Sequence, residues 1–122
     1  MLTIDVEKTE DIVVVRCCGR LVRGEAISVL RNAVMSERNT RIVVLDMSEL
    51  QAIDAGGLTA LVSLHHWTCE RGIQLKLVNP SDFILETLQR LRLDRVFDIS
   101  TLHDALVVLA TPGEPHLRYA CS

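Results

Sequence analysis

The chain is poor in aromatic residues, with one Trp, one Tyr and two Phe in 122 residues. A single-stranded nucleic-acid platform needs several rings for bases to stack on, so no such function is expected. Excess positive charge is also missing: 13 Lys and Arg stand against 16 Asp and Glu, a formal net charge of −3. Binding to a polyanion is therefore not favoured, and nucleic acid is not an expected partner. No apolar run approaches the roughly eighteen residues of a membrane-spanning helix. Met1 opens a strand-like alternation with no basic and apolar leader behind it. Direct membrane insertion is not expected, and the chain is read as cytoplasmic.

Metal and disulfide signatures are absent too. The four cysteines (Cys17, Cys18, Cys69, Cys121) and four histidines form no C-x-x-C or H-x-x-x-H spacing, so no metal site is expected. The cysteines read as reduced thiols filling the core rather than as a disulfide framework. His65 reads as a hydrogen-bonded core residue. No acid/base pair and no nucleophile beside a base is apparent, so the chain is read as non-enzymatic and without a cofactor.

What is present is the composition of a globular domain, 48% apolar and 24% charged, at a length that buries a real core without staples. Leu2, Ile4 and Val6 alternate with polar neighbours as in a half-buried strand, and the nearly apolar run Ile12 to Cys18 suits a central strand that Gly19 ends. A helix follows, with Ile27, Leu30, Ala33 and Val34 on one face. The β-branched run in Arg41 to Asp46 predicts a buried strand, then a short polar link, and Asp54 opens a second helix over about Ala55 to Arg71. Its buried stripe is expected at Leu58, Leu61, Val62, His65 and Cys69, with Trp67 and Ala60 off the stripe's centre at about 100° per residue. Gly72 stops that helix, and Ile73 to Val78 form the next strand. Asn79-Pro80-Ser81-Asp82 makes a turn and cap for a third helix facing inward through Ile84, Leu85, Leu88 and Leu91. A short strand is expected around Val96 to Ile99. Thr101 with Asp104 resembles a capping box for a last helix carrying Leu102, Ala105, Leu106 and Leu109.

The order β-β-α-β-α-β-α-β-α implies an α/β fold, a mixed sheet of about five strands packed with about four helices, in one layer or on both faces. One domain over residues 1–111 is expected, with 112–122 as a C-terminal tail beyond Pro112.

Strand ends that run into helix starts are where ligands and partners gather in open α/β sheets, so the stretch Ile42 to Leu58 draws attention first. Asp54 is most simply an N-cap, with partner contact as an additional role. Gly56 and Gly57 permit close packing or offer a smooth surface on which a partner docks. Asp46 belongs to the end of its strand, and Ser48 reads as a turn former rather than a substitute phosphosite. D-A-G-G is neither a P-loop nor a dinucleotide fingerprint, although a phosphate at this helix start remains an alternative.

The passage V-V-L-D-M-S-E-L-Q-A-I-D-A-G-G-L, with I-Q-L-K-L-V-N-P-S, L-R-L-D-R-V-F-D-I and S-T-L-H-D-A-L after it, resembles the STAS domain of anti-sigma factor antagonists. The resemblance spans about Leu2 to Leu109. It implies partner switching: an unphosphorylated antagonist binds an anti-sigma factor that is also a serine kinase, and a phosphoserine at the start of the second helix breaks the complex by desolvation and repulsion. The family motif is D-S-S-G-L. Asp54, Gly57 and Leu58 match it, but Ala55 replaces the first serine and Gly56 stands at the phospho-acceptor position. The family's G-x-L-D after the second strand is Gly19-Arg20-Leu21-Val22 here, so the aspartate near the acceptor is a valine.

The resemblance thus implies a protein-interaction regulator whose partner, an anti-sigma factor or serine kinase-like protein, docks on Asp54, Ala55, Gly56, Gly57, Thr59 and Ser63, without the usual switch. Related STAS domains also occur in anion transporters, stressosomes and phospholipid ABC transporters, so a subunit of a transporter or scaffold is the alternative. A nucleotide or small-ligand module is the third reading, and a weak homodimer is left open.

Overall fold

A computed structural model describes residues 2–37 and 39–100. Five strands lie in the order β1-β2-β3-β4-β5: β1 (Leu2–Thr9), β2 (Ile12–Leu21), β3 (Ile42–Ile53), β4 (Gln74–Val78) and β5 (Asp98–Ser100). β1 and β2 form an antiparallel hairpin. The remaining neighbours are parallel, as crossovers through helices require. Those helices are α1 (Glu25–Met35), α2 (Ala55–Glu70) and α3 (Asp82–Arg90), and a 3-10 turn at Leu93–Arg95 precedes β5.

The sheet is the expected mixed sheet of five strands, and three of the expected helices are in place. The fourth helix, its capping box at Thr101 and Asp104, and the 111/112 boundary lie outside the described residues.

Alternation along the strands sorts side chains onto two faces. Val13, Val15, Cys17, Val43, Leu45, Leu75 and Leu77 join Leu30 and Val34 of α1, Leu61 and Leu64 of α2, and Ile84 and Leu88 of α3 in the main core. Ile42, Val44 and Val78 form a second buried cluster, with Ile12 and Val14 partly buried against it. Adjacent residues of β2 therefore have opposite fates. Cys17 is buried and Cys18 exposed, both free thiols, and burial, with Asp46 adding to it, pushes the Cys17 thiol up to about 12. Cys69 is disulfide-bonded, which corrects the expectation of four reduced thiols. Bridging depends on how closely two Cβ atoms approach in the fold, which cysteine spacing does not report.

Three boundaries differ from the sequence reading. β3 does not stop at Asp46 but continues to Ile53, and β2 runs past Gly19 to Leu21. Pairing between the two persists across register shifts after Arg16 and Gly19. Asp46 anchors the first irregularity, since its Oδ1 accepts the Ser48 amide at 3.0 Å and its carboxylate faces the Arg16 guanidinium at 3.6 Å. The sequence reading puts Asp46 at a strand end and Ser48 in a turn; both lie instead inside β3, at a bulge that leaves the strand unbroken. The last strand begins only at Asp98, because the 3-10 turn takes up the residues before it.

The stripe of α2 is rotated relative to the expected one: Gly57, Ala60, Leu61, Leu64 and Thr68 are buried, while Leu58, Val62, His65 and Cys69 flank them half-buried. Apolar residues occupy most of this helix's circumference, so periodicity alone does not locate the centre of the buried face. In α3, Ile84 and Leu88 point inward as expected, but Leu91 is 53% exposed, since it lies at the helix's C-cap.

β3 is twelve residues long, whereas β4 pairs only with Ile42 to Asp46. Beyond that level β1 stays paired with β2 as far as the Leu2–Gly19 pair, and β2 and β3 continue past it as a short ribbon ending at the Leu21–Ile53 pair. The start of α2 sits at the tip of this ribbon.

Candidate functional site

Asp54 leaves β3 in an extended conformation (φ −116°, ψ −173°) and caps α2, the geometry in which a short carboxylate reaches the first-turn amides. Its Oδ1 accepts the Gly57 N–H at 2.8 Å, and its carbonyl accepts the Leu58 N–H at 2.9 Å to begin the helical ladder. The same carboxylate clamps the loop after β2: the Arg23 N–H donates to Oδ2 at 3.0 Å and to Oδ1 at 3.2 Å. One side chain thus ties together two chain segments that leave the ribbon side by side.

The Arg23 amide, and after it the Gly57 amide, holds the Asp54 carboxyl below its ordinary range. A carboxylate with a depressed folded pKa contributes stability above its unfolded pKa and loses it as pH falls through the folded value. Asp54→Asn is therefore expected to melt at a lower temperature than the parent chain at pH 7. The gap should begin to narrow as pH falls through the ordinary carboxylate value, about 4, and close only once pH is below the depressed folded value. Melting curves between pH 3 and 7 check this, and a gap independent of pH would show that the charge of Asp54 contributes nothing.

The two glycines have different jobs. Gly57 is buried, and a Cβ there would lie 2.2 Å from the Leu21 carbonyl oxygen and 2.8 Å from Ile53 Cγ1. It lets the helix start press against the ribbon's end and takes no part in the outer surface. Gly56 is half-buried, and its Cβ would meet Arg23 Cβ, Ile27 Cδ1 and Asp54 Oδ1 all at 3.3 Å. A small side chain fits there after a slight adjustment, and it would stand beside Arg23 and Ile27.

Ala55 and Thr59 are exposed and Ser63 is half-buried. Spaced four apart, they share one helix face, and Thr59 returns its hydroxyl to the Ala55 carbonyl at 2.9 Å. The structure thus brings together Asp54, Ala55, Gly56, Thr59 and Ser63, with Gly57 beneath them. Sequence reasoning missed Leu21, Arg23 and Ile27. Arg23 engages Asp54 through its backbone amide, which every residue but proline carries, so no pattern marks it.

Chemically the site offers shape and hydrogen-bonding groups. Among the described residues no group of three or more His, Cys, Asp and Glu is placed to hold a metal ion, and no described helix is long and apolar enough to cross a membrane. Asp54 sets its own negative charge against the first-turn amides, where a bound phosphate would sit, which disfavours a nucleotide there. His65 lies half-buried and edge-on to Phe97, ring centroids 5.6 Å apart. Burial, with His66 second, lowers its pKa.

A family model described as the STAS domain matches residues 3–106. Sulfate transporter 2.1 of Arabidopsis thaliana is 37% identical over 62 residues, which is 50% of this chain and 9% of that protein. The chain thus aligns with less than a tenth of that relative's length. Among solved structures, a candidate anti-sigma factor antagonist from Thermotoga maritima superposes with a TM-score of 0.80 at 20% identity, covering 88% of this chain and 95% of the other. The Bacillus cell fate determinant SpoIIAA in its phosphorylated form superposes with a TM-score of 0.69 at 18% identity, covering 88% and 99%. At these identities the structural matches carry the fold alone.

Proposed function

The chain belongs to the STAS domain family, and from that premise we propose that it is a non-enzymatic regulator that binds a protein partner through the start of α2. The partner is an anti-sigma factor or serine kinase-like protein of the cytoplasm, and the contact surface comprises Asp54, Ala55, Gly56, Thr59 and Ser63, supported from below by Gly57. The observation that carries this reading is the accessible tip of the β2–β3 ribbon, where Asp54 hydrogen-bonds both to the loop after β2 and to the first turn of α2 and leaves Ala55 and Thr59 exposed. Pre-organisation of this kind lowers the ordering cost of association.

Gly56 has no hydroxyl, and Val22 stands where the family carries an aspartate near the acceptor. Both departures support a docking surface not switched by phosphate at the usual place, so that binding is constitutive or set by the amount of protein. Affinity purification from the source cell identifies the partner, and a kinase assay with phosphosite mapping tests the missing switch. The expected result is a stable complex and no stoichiometric phosphate between Ser48 and Ser63. Stoichiometric phosphate in that stretch would overturn the proposal.

A second reading, a STAS component of a transporter complex, is favoured by the 37% identity to a plant sulfate transporter. In that arrangement the start of α2 meets another part of the transporter. Genes beside this one separate the two: a serine kinase favours the regulator, and a permease favours the transporter component.

A further inference from the structure

At the other end of α2, where β4 begins, Gln74 Oε1 is buried without a hydrogen-bond partner. A desolvated acceptor left unpaired is costly, and native structures normally satisfy it with protein or ordered water. Gln74 lines a cavity of about 10 Å³ for a water centre, which it shares with His65, Thr68 and Asp98. That is close to the room one water needs, and the lining is polar enough to hold it.

We propose that one ordered water occupies this cavity as a structural ligand. It donates one hydrogen to Gln74 Oε1 and the other to an acceptor across the cavity, while the His65 ring supplies it with a donor. Two acceptors are at hand. The Thr68 hydroxyl spends its proton on the carbonyls of Leu64 and His65, at 2.9 and 3.0 Å, which leaves its oxygen lone pairs available. The second is the Asp98 carboxylate, which lines the same cavity and is held by Lys76 Nζ. The water joins the last turns of α2 to β4 and β5, which the Lys76–Asp98 pair also ties to each other.

A crystal structure at about 1.5 Å, with melting curves of Gln74→Met, tests the site. The expected result is a density peak 2.7–3.1 Å from Gln74 Oε1 and a melting temperature lowered by about 2–5 °C in the nearly isosteric variant, which withdraws the water's acceptor. Three results would overturn it: an empty cavity, a Gln74 amide turned so that its NH2 faces the cavity, or a variant that melts higher, as removal of a dry orphan acceptor predicts. The water site is independent of the partner reading, so failure of either leaves the other standing.

Discussion

Gly57→Ala is expected to destabilise the chain by about 3 kcal/mol or more and to lower its melting temperature by roughly 10 °C or more. The added methyl would sit 2.2 Å from the Leu21 carbonyl oxygen and 2.8 Å from Ile53 Cγ1. The oxygen is main chain, in a strand paired with β3 at that level, and it also accepts the Asp54 N–H at 3.4 Å. Relief requires lifting the first turn of α2 off the ribbon, which pulls on the Asp54 clamp as well. The cost is steric, since Gly57 is not among the positive-φ glycines and its backbone suits alanine. Gly56→Ala, with its contacts at 3.3 Å, serves as the control and should melt within a few degrees of the parent. Urea and thermal unfolding followed by circular dichroism measure both. A loss below about 1 kcal/mol for Gly57→Ala would mean that the helix start is not packed as described.

Gly56→Asp is expected to weaken binding to the natural partner by about 1–3 kcal/mol, roughly a 5- to 150-fold rise in Kd. The substitution puts a fixed charge beside Ile27 and Arg23 at the centre of the proposed surface, a crude imitation of the phosphate that the family writes at this position. Some loss of stability is expected as well, because the new carboxylate also stands beside that of Asp54, so affinities are compared on the folded fraction of each chain. Gly56→Asn separates charge from bulk: it should bind better than Gly56→Asp if repulsion and desolvation of charge dominate. Isothermal titration against the purified partner supplies the numbers. Equal affinity for all three chains would place the interface elsewhere on the domain.

Much of this architecture was legible from pattern. The strand-to-helix passage at Asp54 could be read because a capping carboxylate must precede its helix, and the order of strands and helices followed from the switch between periods of two and 3.6. The missing acceptor at Gly56 was legible only through the family motif, since a glycine at a helix start means nothing by itself. Three features were not legible, each for a physical reason. Met47 to Ile53 looked like a polar link because Ser48, Glu49 and Gln51 are exposed, yet the backbone stays paired with β2. The buried face of α2 was misplaced by part of a turn, because Leu58 and Val62 are as apolar as the residues that go inside. The Arg23 clamp is a main-chain contact across 31 residues of sequence, and no side-chain pattern encodes it.

That separation has a kinetic consequence. The cap bonds from Gly57 and Leu58 to Asp54 are local, but the bonds that fix the start of α2 to the sheet, Arg23 to Asp54 and Asp54 to Leu21, each close a chain loop of about thirty residues. The Arg23–Asp54 clamp and the seating of Gly57 beneath Leu21 cannot form by local folding; they wait for the parallel pairing of the two central strands, the slow and non-local event in a fold of this kind. A nascent or partly unfolded chain would therefore present Asp54, Gly56 and Thr59 in the right order but not in the right place. The surface at the ribbon's tip thus reports that the two central strands have paired, and a partner that reads it would engage only molecules in which they have.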